Sequence, residues 1–203
     1  MKALFLSCTL KAFPAPSNTE ALSQVMVRQF EADGITSEII RLADYNVKPG
    51  VSSDEGEGDD WPFIRAKIIA ADILIMATPT WLGQHSSLCQ RALERMDAML
   101  SETQADGRPI AFDKVGGIVV TGNEDGAHHI VACVSQMLID IGFTMPANCW
   151  TYWHLGPGPG PDYTHTDQAH DYSDRLACNA ARNIASMARA LKANPLPQQE
   201  SAS

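Results

Sequence analysis

The chain has 203 residues, 45% hydrophobic and 19% charged, and its 24 acidic against 15 basic side chains give a formal net charge of −9. A chain of that length forms one ordinary domain and buries about 70% of the surface its unfolded form exposes. No apolar run approaches a membrane span, and no basic stripe is present to bind nucleic acid, so neither membrane insertion nor a nucleic-acid partner is expected.

Cys8, Cys89, Cys133, Cys149 and Cys178 are scattered and never form C-x-x-C. That spacing signals buried thiols rather than a disulfide framework or a metal cluster. The apolar stretch after Lys2 is too short for a signal-peptide core, which leaves the cytoplasm as the expected compartment.

Residues 3–8 are apolar without alternation, the pattern of a strand buried on both faces. A polar, proline-punctuated loop over residues 9–19 then leads to a helix with Leu22, Val25, Met26 and Phe30 on one face. Ser17 and Glu20 form an S-x-x-E capping box. Free amides at a helix start attract anions, so Thr9, Ser17, Asn18 and Thr19 are candidate donors to a phosphate and Lys11 its counter-charge; the alternative is an ordinary capped helix. Neither G-x-G-x-x-G nor G-x-x-x-x-G-K-[ST] occurs, against a Rossmann dinucleotide site or a P-loop.

After Asp33-Gly34, residues 36–42 are a second strand. Residues 44–60 form a loop with Gly50, Gly56, Gly58 and five acids from Asp54 onward. It lacks the order of a calcium loop and is expected to be solvated and mobile. Pro62 then opens a short helix, a favoured position for proline.

Residues 73–77 are the most apolar strand, and Pro79 is expected to end it in a loop. Pro79, Thr80, Trp81, Leu82 and Gly83 offer backbone amides, an indole and a glycine at a strand's carboxyl end. Such a loop seats a flat aromatic ligand or is a simple turn with its tryptophan packed in the core. Ser86 or Ser87 caps the following helix.

Residues 115–121 are the fourth strand, ending at Thr121. Gly122, Asn123, Glu124, Asp125 and Gly126 follow, a plain turn or a second loop of close backbone approach. A helix over 127–141 stops at Gly142, and residues 143–147 read as a short fifth strand. Trp150, Tyr152 and Trp153 precede a Gly/Pro run over 156–161 that forbids regular structure. Asp167 is expected to cap a last helix. Residues 1–194 thus form a single domain, and 195–203 a flexible tail.

No catalytic side chain and no metal ligand is expected. His128 and His129 are adjacent and so point about 100° apart on a helix. His165 and His170 miss the i, i+4 spacing, and Ser86 lacks a G-x-S-x-G context.

Strands alternating with helices define an α/β fold: a doubly wound, five-stranded parallel sheet of order 2-1-3-4-5 with helices on both faces. The loops after strands 1, 3 and 4 then meet at the carboxyl edge, by the switch point between strands 1 and 3. Their convergence makes each a stronger candidate than it is alone.

The sequence resembles the flavodoxin-like, NADPH-dependent FMN reductase family over essentially its whole length. Cys8-Thr9-Leu10-Lys11 and Pro16-Ser17-Asn18-Thr19 stand for the family's G-S-P-R-x-G-G-N-T loop, with a short proline-containing insertion. Asp59-Asp60, Ala71-Asp72 and the segment from Ala77 through Thr80 and Trp81 to Gly83 look like its central part. The stretches from Thr121 to Ala127 and from Tyr152 to Tyr163 are similar to a flavodoxin-like subgroup. Relatives with iron–sulfur clusters carry clustered cysteines where this chain has residues 51–57, which speaks against a cluster here.

The resemblance implies bound FMN, with Thr9, Lys11, Ser17, Asn18 and Thr19 around its phosphate. Pro79, Thr80, Trp81, Leu82 and Gly83 would lie on the isoalloxazine, and Thr121, Gly122, Asn123, Asp125 and Gly126 would close its other side. It also implies NAD(P)H as co-substrate, with electrons passed on to a quinone, flavin or similar small-molecule acceptor. The cofactor carries that chemistry, so the missing acid–base pair is no objection. A flavodoxin-like one-electron carrier and a non-catalytic flavin-binding regulatory module are the alternatives. A homo-oligomer, most simply a dimer, is expected, with Trp153 at the interface or beside the flavin unless its segment packs on its own domain.

Overall fold

In a computed structural model, which describes residues 1–156, 158 and 160–198, the buried apolar runs lie side by side in a parallel sheet. The strands are β1 (Lys2–Ser7), β2 (Thr36–Arg41), β3 (Ile73–Trp81), β4 (Gln84–His85), β5 (Val115–Thr121) and β6 (Trp150–Trp153). The helices are α1 (Asn18–Ala32), α2 (Trp61–Ala70), α3 (Ser87–Arg95), α4 (Ala127–Ile141) and α5 (His170–Ala193). The order is β2-β1-β3-β5-β6, with β4 a two-residue antiparallel return on the end of β3. Apart from that return it matches the expected arrangement.

Alternation along each strand splits the core into two layers. Leu4, Leu6, Leu74, Met76, Ile118 and Val120 meet α2, α3 and α4, whereas Ala3, Phe5, Ile73, Ile75 and Val119 meet α1 and α5. An isolated helix as short as α1 is marginal in water, so the burial of Leu22, Val25, Met26 and Phe30 stabilises it. Each such side chain contributes about 1.5 to 3 kcal/mol. β5 is buried at every position, and a Cβ at its Gly117 would sit 2.5 Å from Ile184 Cδ1, so α5 packs where a side chain would otherwise stand.

Four expectations are corrected. β3 continues through Pro79 to Trp81. Ala77 turns its backbone toward β1, accepting the Cys8 N–H at 2.7 Å, so Pro79 two residues on faces the same side, where β1 has already ended. The missing N–H therefore breaks no ladder bond. The fifth strand lies at Trp150–Trp153 rather than at 143–147, where Thr144 forms only a lone bridge to Val115. Pro146 interrupts that earlier stretch.

The last helix starts at His170, after Ala169 at φ 62°, and Asp167 is not its cap. The acidic loop is anchored rather than free. Asp59 and Arg95, both fully buried, pair at 2.8 Å, and Arg95 also donates to the carbonyls of Lys48 and Ser52. Burial opposes the Asp59 charge, but Arg95 and the N–H groups of Glu55, Trp61 and Lys48 outweigh it and hold the carboxyl far below its usual range.

Leu196, at the start of the expected tail, donates its N–H to Asp113 and accepts from Arg108, while residues 199–203 lie outside the described residues. Pro157 and Pro159 of the Gly/Pro run do so as well. All five thiols are free, and burial pushes that of Cys149 up to about 11. Among the described residues no helix is long and apolar enough to cross a membrane.

Candidate active site

At the carboxyl ends of β1, β3 and β5 the chain encloses a cleft of about 120 Å³. Thr9, Leu10 and Lys11 come from the loop after β1, and Ser17, Asn18 and Thr19 from the start of α1. Pro79, Thr80 and Trp81 come from the end of β3, and Thr121, Gly122 and Asn123 from the end of β5. Eleven of the fifteen residues expected at a site therefore stand together.

The α1 end brings a capped helix start to the cleft. Ser17 is the N-cap, its Oγ accepting the Glu20 N–H at 3.2 Å, which leaves its O–H to donate outward. The other half of the capping box is not made. The Glu20 carboxylate turns instead to Arg41, at 2.5 and 2.7 Å, and to the Ser7 hydroxyl at 2.7 Å. Burial works against the Glu20 charge, but Arg41 and Ser7 prevail and hold its carboxyl below its ordinary value. Arg41 also donates to the Ala15 carbonyl at 2.8 Å, bracing the loop that carries Lys11.

Two expected phosphate ligands are partly engaged elsewhere. Thr19 Oγ1 bonds Thr121 Oγ1 at 2.7 Å, tying the start of α1 to the end of β5. Asn18 Oδ1 accepts the N–H and O–H of Thr164 at 3.2 and 2.8 Å, anchoring the turn that brings Asp162 and Tyr163 over the cleft.

Leu82, Gly83, Asp125 and Gly126 do not line the cleft; Leu82 and Gly83 meet the residue 122–126 loop instead. The Leu82 N–H donates to Glu124 Oε1 at 2.7 Å, and a Cβ on Gly126 would come 2.7 Å from Gly83 Cα. The loops after β3 and β5 thus touch backbone to backbone, an approach only glycine permits. Trp81 stays 52% exposed, an uncovered indole at the rim.

The residues missed from sequence are Leu10, Asp162 and Tyr163, while Trp153, expected at an interface, beside the flavin or packed on its own domain, forms a wall of the cleft. Trp153 is buried in its own domain, its Nε1 donating to the Gln168 carbonyl at 3.0 Å. Tyr163 stands edge-on to it and stacks on His170 with centroids 4.0 Å apart. Burial, and then Asp174 beside it, pushes the Tyr163 hydroxyl well above its ordinary value, so it remains a fixed donor to Asp174. The aromatic cluster was the available signal, but the Gly/Pro run hid the chain's return.

A phosphate fits the donor set: hydroxyls of Thr9 and Ser17, first-turn amides of α1 and the Lys11 ammonium.

The fold and this cleft define a flavodoxin-like α/β protein, with a ligand edge at the switch point between β1 and β3. Residues 1–154 match the NADPH-dependent FMN reductase family, and the chain belongs to it. It is accordingly an NAD(P)H-dependent flavin oxidoreductase whose flavin is FMN. The chain is 34% identical over 207 residues to 8-demethyl-8-aminoriboflavin-5'-phosphate synthase of Streptomyces davaonensis, spanning 96% of this chain and 80% of that protein.

A crystal structure of RosB with bound 8-demethyl-8-formylriboflavin-5'-phosphate superposes with a TM-score of 0.88 at 32% identity, over 97% of this chain and 82% of that one. Divalent metal cation transporter MntH of Mycobacterium bovis is 31% identical over 95% of this chain, which spans only 29% of that protein's length.

Proposed function

We propose that the enzyme seats FMN in the cleft, takes a hydride onto it from NAD(P)H and passes electrons to a quinone, free flavin or similar small acceptor. The observation that carries this is the pairing of an anion-facing helix start at Ser17 with an open indole face at Trp81. When bound, FMN supplies hydride acceptance and release. The chain's own residues bind and orient: Ser17 and Thr9 donate to phosphate oxygens, Lys11 offsets their charge, and Trp81 offers a face to the ring. The residue 122–126 loop, held by the Leu82–Glu124 bond, closes the opposite edge.

A second copy of the chain would cover what remains open. Leu10, Phe13 and Leu82 on loops, and Trp81 at the end of β3, are 49%, 76%, 90% and 52% exposed at the same sheet edge. Apolar surface so gathered marks an interaction site, and a two-fold dimer over the cleft is the simplest form. In the test, protein reconstituted with FMN is passed through gel filtration and mixed anaerobically with NADPH. Retained visible flavin absorbance that bleaches on mixing and returns with a quinone supports the proposal; colourless protein would sink it.

The 34% identity to a synthase of a modified riboflavin phosphate favours one further reading, in which the flavin phosphate in this cleft is substrate rather than cofactor. Mass spectrometry of the flavin recovered after turnover, with and without an amino donor, separates the two. An unchanged mass keeps FMN as cofactor, and an altered mass makes it substrate.

A further inference from the structure

We propose that Thr164 is a positioning residue for recognition of the flavin's phosphate: it fixes the Asn18 carboxamide so that the NH2, rather than the oxygen, is offered to the cleft. The proposal rests on the phosphate-binding reading given above. It ties the far end of the chain to the first residue of α1, 146 positions away.

Donors at that helix start are few. Ser17 takes the Glu20 N–H on its side chain and the Ala21 N–H on its carbonyl, so the amides left open are those of Asn18 and Thr19. The Thr19 hydroxyl is engaged with Thr121. Among the described residues lining the cleft, Lys11 is the one cation. One further N–H donor therefore matters, and Asn18, which also lines the cleft, carries an NH2 group.

A carboxamide has a donor branch and an acceptor branch of nearly equal shape, and its partners decide which points where. The Thr164 N–H can only donate; it lies 3.2 Å from an Asn18 side-chain atom, and the Thr164 hydroxyl lies 2.8 Å from the same atom. That atom is therefore the oxygen, and the NH2 is left for the cleft. A flipped amide would set its own N–H groups against the Thr164 N–H and would turn an oxygen toward a phosphate.

The turn that carries Thr164 does not depend on the Thr164 hydroxyl. Tyr163–His165 is a single 3-10 turn led by Asp162, and Tyr163 is buried. The Tyr163 hydroxyl donates to Asp174 at 3.2 Å, its carbonyl lies 3.0 Å from His170 Nε2, and its ring stacks on His170. Thr164 itself is exposed, so losing its hydroxyl removes a bond to Asn18 and leaves the turn in place.

The test measures FMN and riboflavin affinities side by side by flavin fluorescence, since riboflavin differs only in lacking the phosphate. Thr164→Val keeps the shape of the side chain and removes its hydroxyl. It should weaken FMN binding by about three- to tenfold, the scale of one hydrogen bond, and leave riboflavin binding unchanged. Thr164→Ser, which restores the hydroxyl, should bind both as the wild type does. Asn18→Asp keeps both bonds from Thr164 and suits a helix start, but puts a carboxylate oxygen where the NH2 was. It should keep the wild-type melting temperature and riboflavin affinity and lose FMN affinity by more than about tenfold.

An equal loss of both flavins in Thr164→Val, or unchanged FMN affinity in Thr164→Val or Asn18→Asp, would overturn the proposal alone. A wild type that binds neither flavin, or binds both equally, would remove the phosphate-binding reading and the proposal with it, so the two failures are distinguishable.

Discussion

Lys11 and Ser17 belong to one small device, a capped helix start whose outward donors have no protein acceptor in the cleft. Lys11→Ala and Ser17→Ala should each weaken FMN binding by about 1 to 3 kcal/mol, the scale of hydrogen bonds to charged groups. Fluorescence titration measures this, and wild-type affinity in both variants would place the phosphate elsewhere.

Arg95 makes a different prediction, because its partner Asp59 is fully buried. Removing one member of a buried pair strands the other charge, so Arg95→Met should destabilise the protein by about 3 to 5 kcal/mol. The paired Asp59 carboxyl lies below its unfolded value. The pair's contribution is therefore complete above the ordinary carboxylate range near pH 4 and is lost as pH falls from there toward the folded value. Thermal denaturation of wild type and variant should show a gap that narrows below about pH 4. A gap that widens in acid would contradict this assignment.

Among the elements, the loops after β3 and β5 depend on each other. Gly126 sits at φ 126° with Gly83 against it, a conformation and a contact that a side chain disrupts. Gly126→Ala should cost about 1 to 3 kcal/mol of stability. It should also lower FMN affinity by loosening the Leu82–Glu124 bond. Chemical denaturation together with flavin titration checks both, and a fully stable variant with wild-type affinity would show that the loops act independently. The same contact explains why Leu82, Gly83, Asp125 and Gly126 do not line the cleft although they neighbour residues that do.

At the scale of the whole molecule, the uncovered Leu10, Phe13, Trp81 and Leu82 predict assembly. Leu82 is the most exposed of them, and its side chain supports nothing within its own chain that burial would reveal. Leu82→Asp should leave the fold intact and shift sedimentation at micromolar concentration from dimer to monomer. A wild-type monomer under those conditions would remove the dimer proposal.

The strands at β1, β3 and β5, the layered α/β order and the Ser17-capped start of α1 were legible in the chain because each is written in local pattern. Continuous apolar runs mark strands covered on both faces, and hydroxyl and carboxylate spacing marks a helix start. Tertiary structure alone decided the rest. Pro79 could stay in β3 only because β1 ends two residues short of it, a fact about a neighbour. Glu20 left its capping box for Arg41, and Asp59 found Arg95, through contacts 21 and 36 residues apart that no local pattern encodes. Trp153 became a wall of the cleft because β6 sets it beside Thr121, and Tyr163 because the chain beyond the Gly/Pro run returns to bond Asn18 at the start of α1. Burial and long-range pairing are properties of the assembled sheet, and the sequence states only which side chains stand to gain from them.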